Sequence, residues 1–111
     1  SAMSPQLDKE IAAAASHAGY AAAGGDLSTV RMHLHHTINC LVGPEGKGFA
    51  VKEMNPCSAL GNGALNDASE KGTMIALEAA LGSANAALEE DDLEKAKAGA
   101  TAVQSMLIAI Q

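Results

Sequence analysis

The chain has almost no aromatic residues. Among its 111 residues there is one tyrosine, one phenylalanine and no tryptophan. A protein with so few rings has no platform on which bases could stack. Basic residues are also scarce: seven Lys and Arg stand against thirteen Asp and Glu, for a formal net charge of −6. That field repels phosphate, so nucleic-acid binding is disfavoured on both counts. It mildly favours cations. No apolar run approaches the roughly 20 residues needed to span a membrane. There is no CxxCH stretch for covalent haem, and a non-covalent haem would lack an aromatic lining. The glycines of "GPEGKG" (43–48) fail as a nucleotide loop, because no strand precedes them and no Ser or Thr follows Lys47. They read as turns. No catalytic set emerges. The acidic run Glu89-Glu90-Asp91-Asp92 reads as a turn and helix cap, and an enzyme is not expected.

What is present is apolar and small. Residues of the apolar class make up 48% of the chain, enough for one aliphatic core packed around alanine and for one domain over residues 4–111. The leading Ser1-Ala2-Met3 reads as an expression scar. A chain opening at Ser4 fits removal of a secretory signal, and an even pair of cysteines fits an oxidising compartment. The expected location is therefore periplasmic or secreted.

The apolar residues repeat at helical spacing in four segments, approximately 5–23, 27–42, 68–88 and 92–110. Ser4-Pro5 starts the first, whose stripe is Leu7, Ile11, Ala14, Ala18 and Ala21. Gly24-Gly25 ends it. Asp26 caps the second, with Leu27, Val30, Leu34, Ile38 and Leu41 inward. Asp67 with Glu70 reads as a capping box for the third, which turns Met74, Leu77, Leu81, Ala84 and Leu88 inward. Asp91 with Glu94 reads as a second box, before Leu93, Ala96, Ala100, Val103, Leu107 and Ile110. Aligning Asp26-Leu27 with Asp92-Leu93 matches Leu41 to Leu107 and several alanines, although alanine matches are cheap in this composition. The expected fold is all-α: an antiparallel up-down four-helix bundle of two αα-hairpins. A long loop, 43–66, joins the hairpins; loops of this length are usually functional or tethered.

The segment "RMHLHHTINC" (31–40) holds three of the four histidines and one cysteine. At about 100° per residue, His33 and Cys40 fall on one flank of the stripe, His36 lies further round and nearer solvent, and His35 points to the other flank. Folding the first hairpin about Gly24-Gly25 brings His17 level with Met32 and His33. His17, His33 and His36 then converge if the flanks face the same way, which depends on the handedness of the hairpin. Three imidazoles suit zinc, copper or nickel, and zinc or copper is the expected ion. His33 belongs to both the cross-hairpin and the same-helix pair, so it is the expected pivot. The competing reading is of solvated histidines, or polar residues hydrogen-bonded at the core edge. The methionines are scattered and form no copper-binding box.

Cys57 lies in the loop. A disulfide to Cys40 would fold the loop over the His33 flank, and closing about 17 residues would stabilise by roughly 3 kcal/mol in the chain-entropy model. The rival account makes both thiols soft ligands beside histidine. An alternative function also stands: an interaction module whose tethered loop presents Phe49, Val51 and Leu60 to a protein partner, with no metal. The oligomeric state is left open.

Alanine-rich hairpins with "GDL" and "DDL" turns and histidines on the helices resemble small secreted or periplasmic four-helix metal-binding proteins of bacteria. The resemblance implies a non-enzymatic metal-binding bundle. It covers most of the first, second and fourth helices and leaves the 43–66 loop unmatched. Such proteins are typically richer in histidine and lack this cysteine pair, which implies a single site here and not a high-capacity buffer.

Overall fold

The computed structural model describes residues 3–111. Ser1 and Ala2, which the sequence reading set aside, lie outside them. Met3 packs against the core. Five helices and no strand are found among the described residues: α1 (Pro5–Ala22), α2 (Leu27–Val42), the short α3 (Ala64–Asp67), α4 (Lys71–Leu88) and α5 (Leu93–Ile110).

Local chemistry accounts for most of the helix ends. Leu7 N donates to the Ser4 hydroxyl at 3.1 Å, and Pro5 occupies the first helical position, where its missing N–H costs nothing. Thr29 N donates to the Asp26 carboxylate at 2.8 Å. The second expected capping box gives way to a simple side-chain cap one residue later, with Lys95 and not Glu94 at the third helical position. Asp92 takes Lys95 N at 2.9 Å, while Asp91 receives Arg31 Nη2 at 3.2 Å. Arg31 also donates to the Glu90 carbonyl at 2.7 Å, tying α2 to the α4–α5 turn. The first expected box does not form. Asp67 ends α3, and its carboxylate accepts Asn62 N at 2.8 Å. Helix α4 consequently begins at Lys71, not at residue 68.

The predicted stripes form the core. Leu7, Ile11, Ala14, Ala18 and Ala21 of α1 are buried, as are Val30, Leu34, Ile38 and Leu41 of α2. Leu77 and Ala84 of α4 join Ala96, Ala100, Val103 and Leu107 of α5. Each buried Leu or Ile contributes about 1.5–3 kcal/mol of transfer free energy. The alanines contribute little area but let backbones approach. Helix α1 lies against both α2 and α5, and α4 lies against α5 and α2.

The loop is tightly held. Its two ends meet backbone to backbone at Gly43 and Gly63, both at positive φ (73° and 104°). A Cβ on Gly43 would overlap the Asn62 carbonyl, and one on Gly63 would lie 2.6 Å from Gly43 N. Only glycine fits there. Cys40 and Cys57 are bonded, with Cα atoms 5.1 Å apart, so the thiol-ligand account is removed. The buried Asn39 amide holds the 50–54 turn. Ala50 N donates to its Oδ1 at 2.8 Å, and its Nδ2 donates to the Ala50 and Met54 carbonyls at 3.1 and 3.0 Å. Phe49 and Leu60 pack against the core, while Val51 is exposed. Of the three residues expected on an apolar loop surface, Phe49 and Leu60 are thus partly buried and anchor the loop, and Val51 stands in solvent.

Glu10 secures the neck of the loop. It is fully buried and accepts Gly63 N at 2.9 Å. Its other oxygen has no donor on the protein, so an ionised carboxylate there would be poorly satisfied. Burial, then a hydrogen bond with Asp67, push the carboxyl up from 4.5 to about 7, against the lowering effect of the Gly63 N–H. The unfolded chain ionises near 4.5, and the folded chain only near 7. Glu10's contribution to stability is therefore complete below 4.5, declines as pH rises towards 7, and is level above. Glu10→Gln keeps an oxygen that can accept Gly63 N and has no carboxyl of its own to titrate. The stability of Glu10→Gln relative to wild type should rise between pH 5 and pH 8 in urea unfolding. Parallel pH curves for the two proteins would show that Glu10 is not held protonated by the fold.

Candidate metal centre

The site is built where α1 and α2 face each other. The Thr37 hydroxyl donates to the Ala14 carbonyl at 2.9 Å in the core and fixes the register of the two helices. One turn on from Ala14, His17 meets His33, one turn before Thr37. The ring centroids of His17 and His33 are 5.6 Å apart, those of His17 and His36 5.2 Å, and those of His33 and His36 5.2 Å. One ligand nitrogen from each ring lies within 4.8 Å of the other two. With Zn–N bonds of 2.0–2.1 Å, nitrogens around a tetrahedral ion stand about 3.3–3.4 Å apart. Closing on an ion therefore requires an inward ring movement of about an ångström.

The handedness that the sequence left open thus brings the three predicted histidines together. It does not make His33 the sole pivot, since each ring neighbours both others. His36 is also corrected. Expected nearer solvent, it is 5% exposed, because the 50–54 turn covers its side of α2. His17 and His33 are half-buried. Tyr20 edges the cluster, its ring 5.0 Å from that of His17 and 5.5 Å from that of His33. His35 is not part of the cluster, as predicted; it lines a pocket with Ser28, Arg31, Met32 and Glu53.

Burial and mutual repulsion favour the neutral form of two of these rings. Burial lowers the His17 pKa from 6.5, and repulsion by His36 and His33 adds to this. Burial likewise lowers that of His36, helped by His33 and, less, by His35, and opposed by the charge of Glu53. A neutral imidazole offers the lone pair that a metal needs. Nδ1 of His17, His33 and His36 is buried without a hydrogen-bond partner. His35 Nδ1 shares that state, so it is the convergence of the rings, and not the orphaned nitrogen, that distinguishes the site.

The second half of the chain has no counterpart. Gly99 aligns with His33 in the internal repeat, and a Cβ there would stand 2.8 Å from the Ala87 Cβ. Close backbone approach fills that space. No known protein family, curated protein or solved structure matches this chain.

Sequence reasoning missed four residues that shape the site or its support: Glu10, Thr37, Asn39 and Glu53. Asn39 and Thr37 carried a faint signal. Both are polar, yet they sit among apolar residues at the end of α2, where the helix is buried on all sides. Glu53 carried none.

Proposed function

We propose that this chain is a small non-enzymatic metal-binding protein with one zinc or copper site at His17, His33 and His36. The four long helices act as an antiparallel up-down bundle of two hairpins, and the neighbour relations of α1, α2, α4 and α5 support that arrangement. The carrying observation is the convergence of three ligand nitrogens from two helices within 4.8 Å. Because both cysteines are bonded to each other, the donor set is imidazole, which suits zinc or copper. The bond also removes Cys40 as a nucleophile, and it supports a periplasmic or secreted location. No helix among the described residues is long and apolar enough to cross a membrane. The resemblance to bacterial metal-binding bundles points the same way. The interaction-module alternative draws less support, because Phe49 and Leu60 are partly buried against the core.

Calorimetric titration of the oxidised protein with zinc tests the reading. One equivalent should bind. The lowered pKa values of His17 and His36 mean that protons compete with the metal at these rings only below 6.5. Affinity should hold through neutral pH and fall as pH drops below that value. No binding at micromolar protein, or several equivalents of equal weak affinity, would contradict it.

A further inference from the structure

Glu53 reaches the histidine cluster from the loop. Its Oε1 lies 3.7 Å from His36 Nε2. That is longer than an N–H···O hydrogen bond, about 2.7–3.2 Å. It is near the spacing of about 3.3–3.4 Å between two ligands of one tetrahedral ion. We propose that Glu53 is the fourth ligand of the site, completing a set of three imidazoles and one carboxylate for a divalent cation. This rests on the histidine reading above and adds to it the coordination number, the net charge and the choice of ion.

The placement of Glu53 is built in. Asn39 lies one helical turn beyond His36, and its amide holds the carbonyls of Ala50 and Met54, with a longer 3.4 Å contact to that of Glu53 itself. The turn carrying Glu53 is thus pinned over the ring it would serve, and the Cys40–Cys57 bond ties the same loop to the next residue of α2. Glu53 stands outside the group of ligand atoms that lie within 4.8 Å of one another and lines the adjoining pocket with His35; its side chain, about a third exposed (35%), would have to swing inward past His36 to reach an ion. Three neutral imidazoles leave a dication with its full charge in a half-buried site. One carboxylate halves that charge, which lowers the cost of burial. An oxygen donor with no available thiolate also selects the ion: zinc and copper(II) are favoured over copper(I).

The test uses the disulfide-bonded protein with zinc and cobalt(II), comparing wild type, Glu53→Gln, Glu53→Ala and Glu45→Gln. The last makes the same charge change on an exposed residue of the same loop. Both Glu53 variants should lose zinc affinity at least about tenfold, and their cobalt spectra should change as water replaces the carboxylate. Glu45→Gln should match wild type in both. A loss of affinity with an unchanged cobalt spectrum would make Glu53 an outer partner of His36 and overturn the proposal. Equal losses in Glu45→Gln would reduce it to a field effect. If Glu53→Gln binds as wild type does, while histidine variants fail, the fourth ligand is wrong and the histidine site stands. If wild type itself binds no zinc, both readings fall.

Discussion

His36→Asn should lower zinc affinity by roughly a hundredfold or more, beyond what the loss of an outer partner of a metal ligand costs. His35→Asn should leave affinity unchanged. The two rings are neighbours in sequence and sit on the same helix, so a non-specific surface effect would not separate them. Geometry does. His36 neighbours both His17 and His33 at 5.2 Å between ring centroids, whereas His35 is outside that cluster of rings and lines a separate pocket with Ser28, Arg31, Met32 and Glu53. His17→Asn and His33→Asn should fall close to His36→Asn, because each ring contributes one donor to the same ion. Asparagine keeps a polar side chain at a buried position and limits damage to the fold, which circular dichroism would monitor. Calorimetry on the four variants is the check. Equal losses from His35→Asn and His36→Asn would mean that zinc binds to scattered surface imidazoles.

Removing the disulfide should be strongly destabilising, since both cysteines are buried in the core. Cys40→Ala with Cys57→Ala opens a closure of 17 residues, for which the chain-entropy model gives about 3 kcal/mol. The denaturant midpoint should fall accordingly. Hydrogen exchange should accelerate over residues 44–60 more than in α1, α4 or α5, since the covalent tether of the loop to α2 is lost. Zinc affinity should fall as well, because the turn over His36 is no longer fixed at both ends. A rise in zinc affinity on simple reduction would revive the thiol-ligand account. An unchanged midpoint would mean that the closed loop contributes nothing.

The helices and their inward faces were legible because a 3.6-residue period is a local property. Ser4, Asp26 and the alanines of α1 reveal it without reference to the rest of the chain. The histidine convergence was half legible. The shared level of His17 and His33 follows from hairpin length, but the side on which they meet depends on how α1 and α2 pack, and Thr37 fixes that register through the Ala14 carbonyl. The depth of His36 was illegible from a helical wheel, because its cover comes from residues 50–54, held by Asn39. Asp67 misled for a similar reason. A carboxylate before a helix ordinarily caps it, but here the backbone of Asn62, drawn in by the Gly43–Gly63 contact, takes it first. Glu10 sits on the α1 stripe between Leu7 and Ile11, an acidic residue on a buried face. That anomaly was visible in the pattern, and its partners, Gly63 and Asp67, were not.

The most direct measurement follows the imidazole NMR signals of the oxidised protein during zinc addition. The signals of His17, His33 and His36 should shift together and saturate at one equivalent, with His35 unmoved until zinc is in excess. Shifts spread over all four rings, or none at micromolar protein, would contradict a single site at the α1–α2 face.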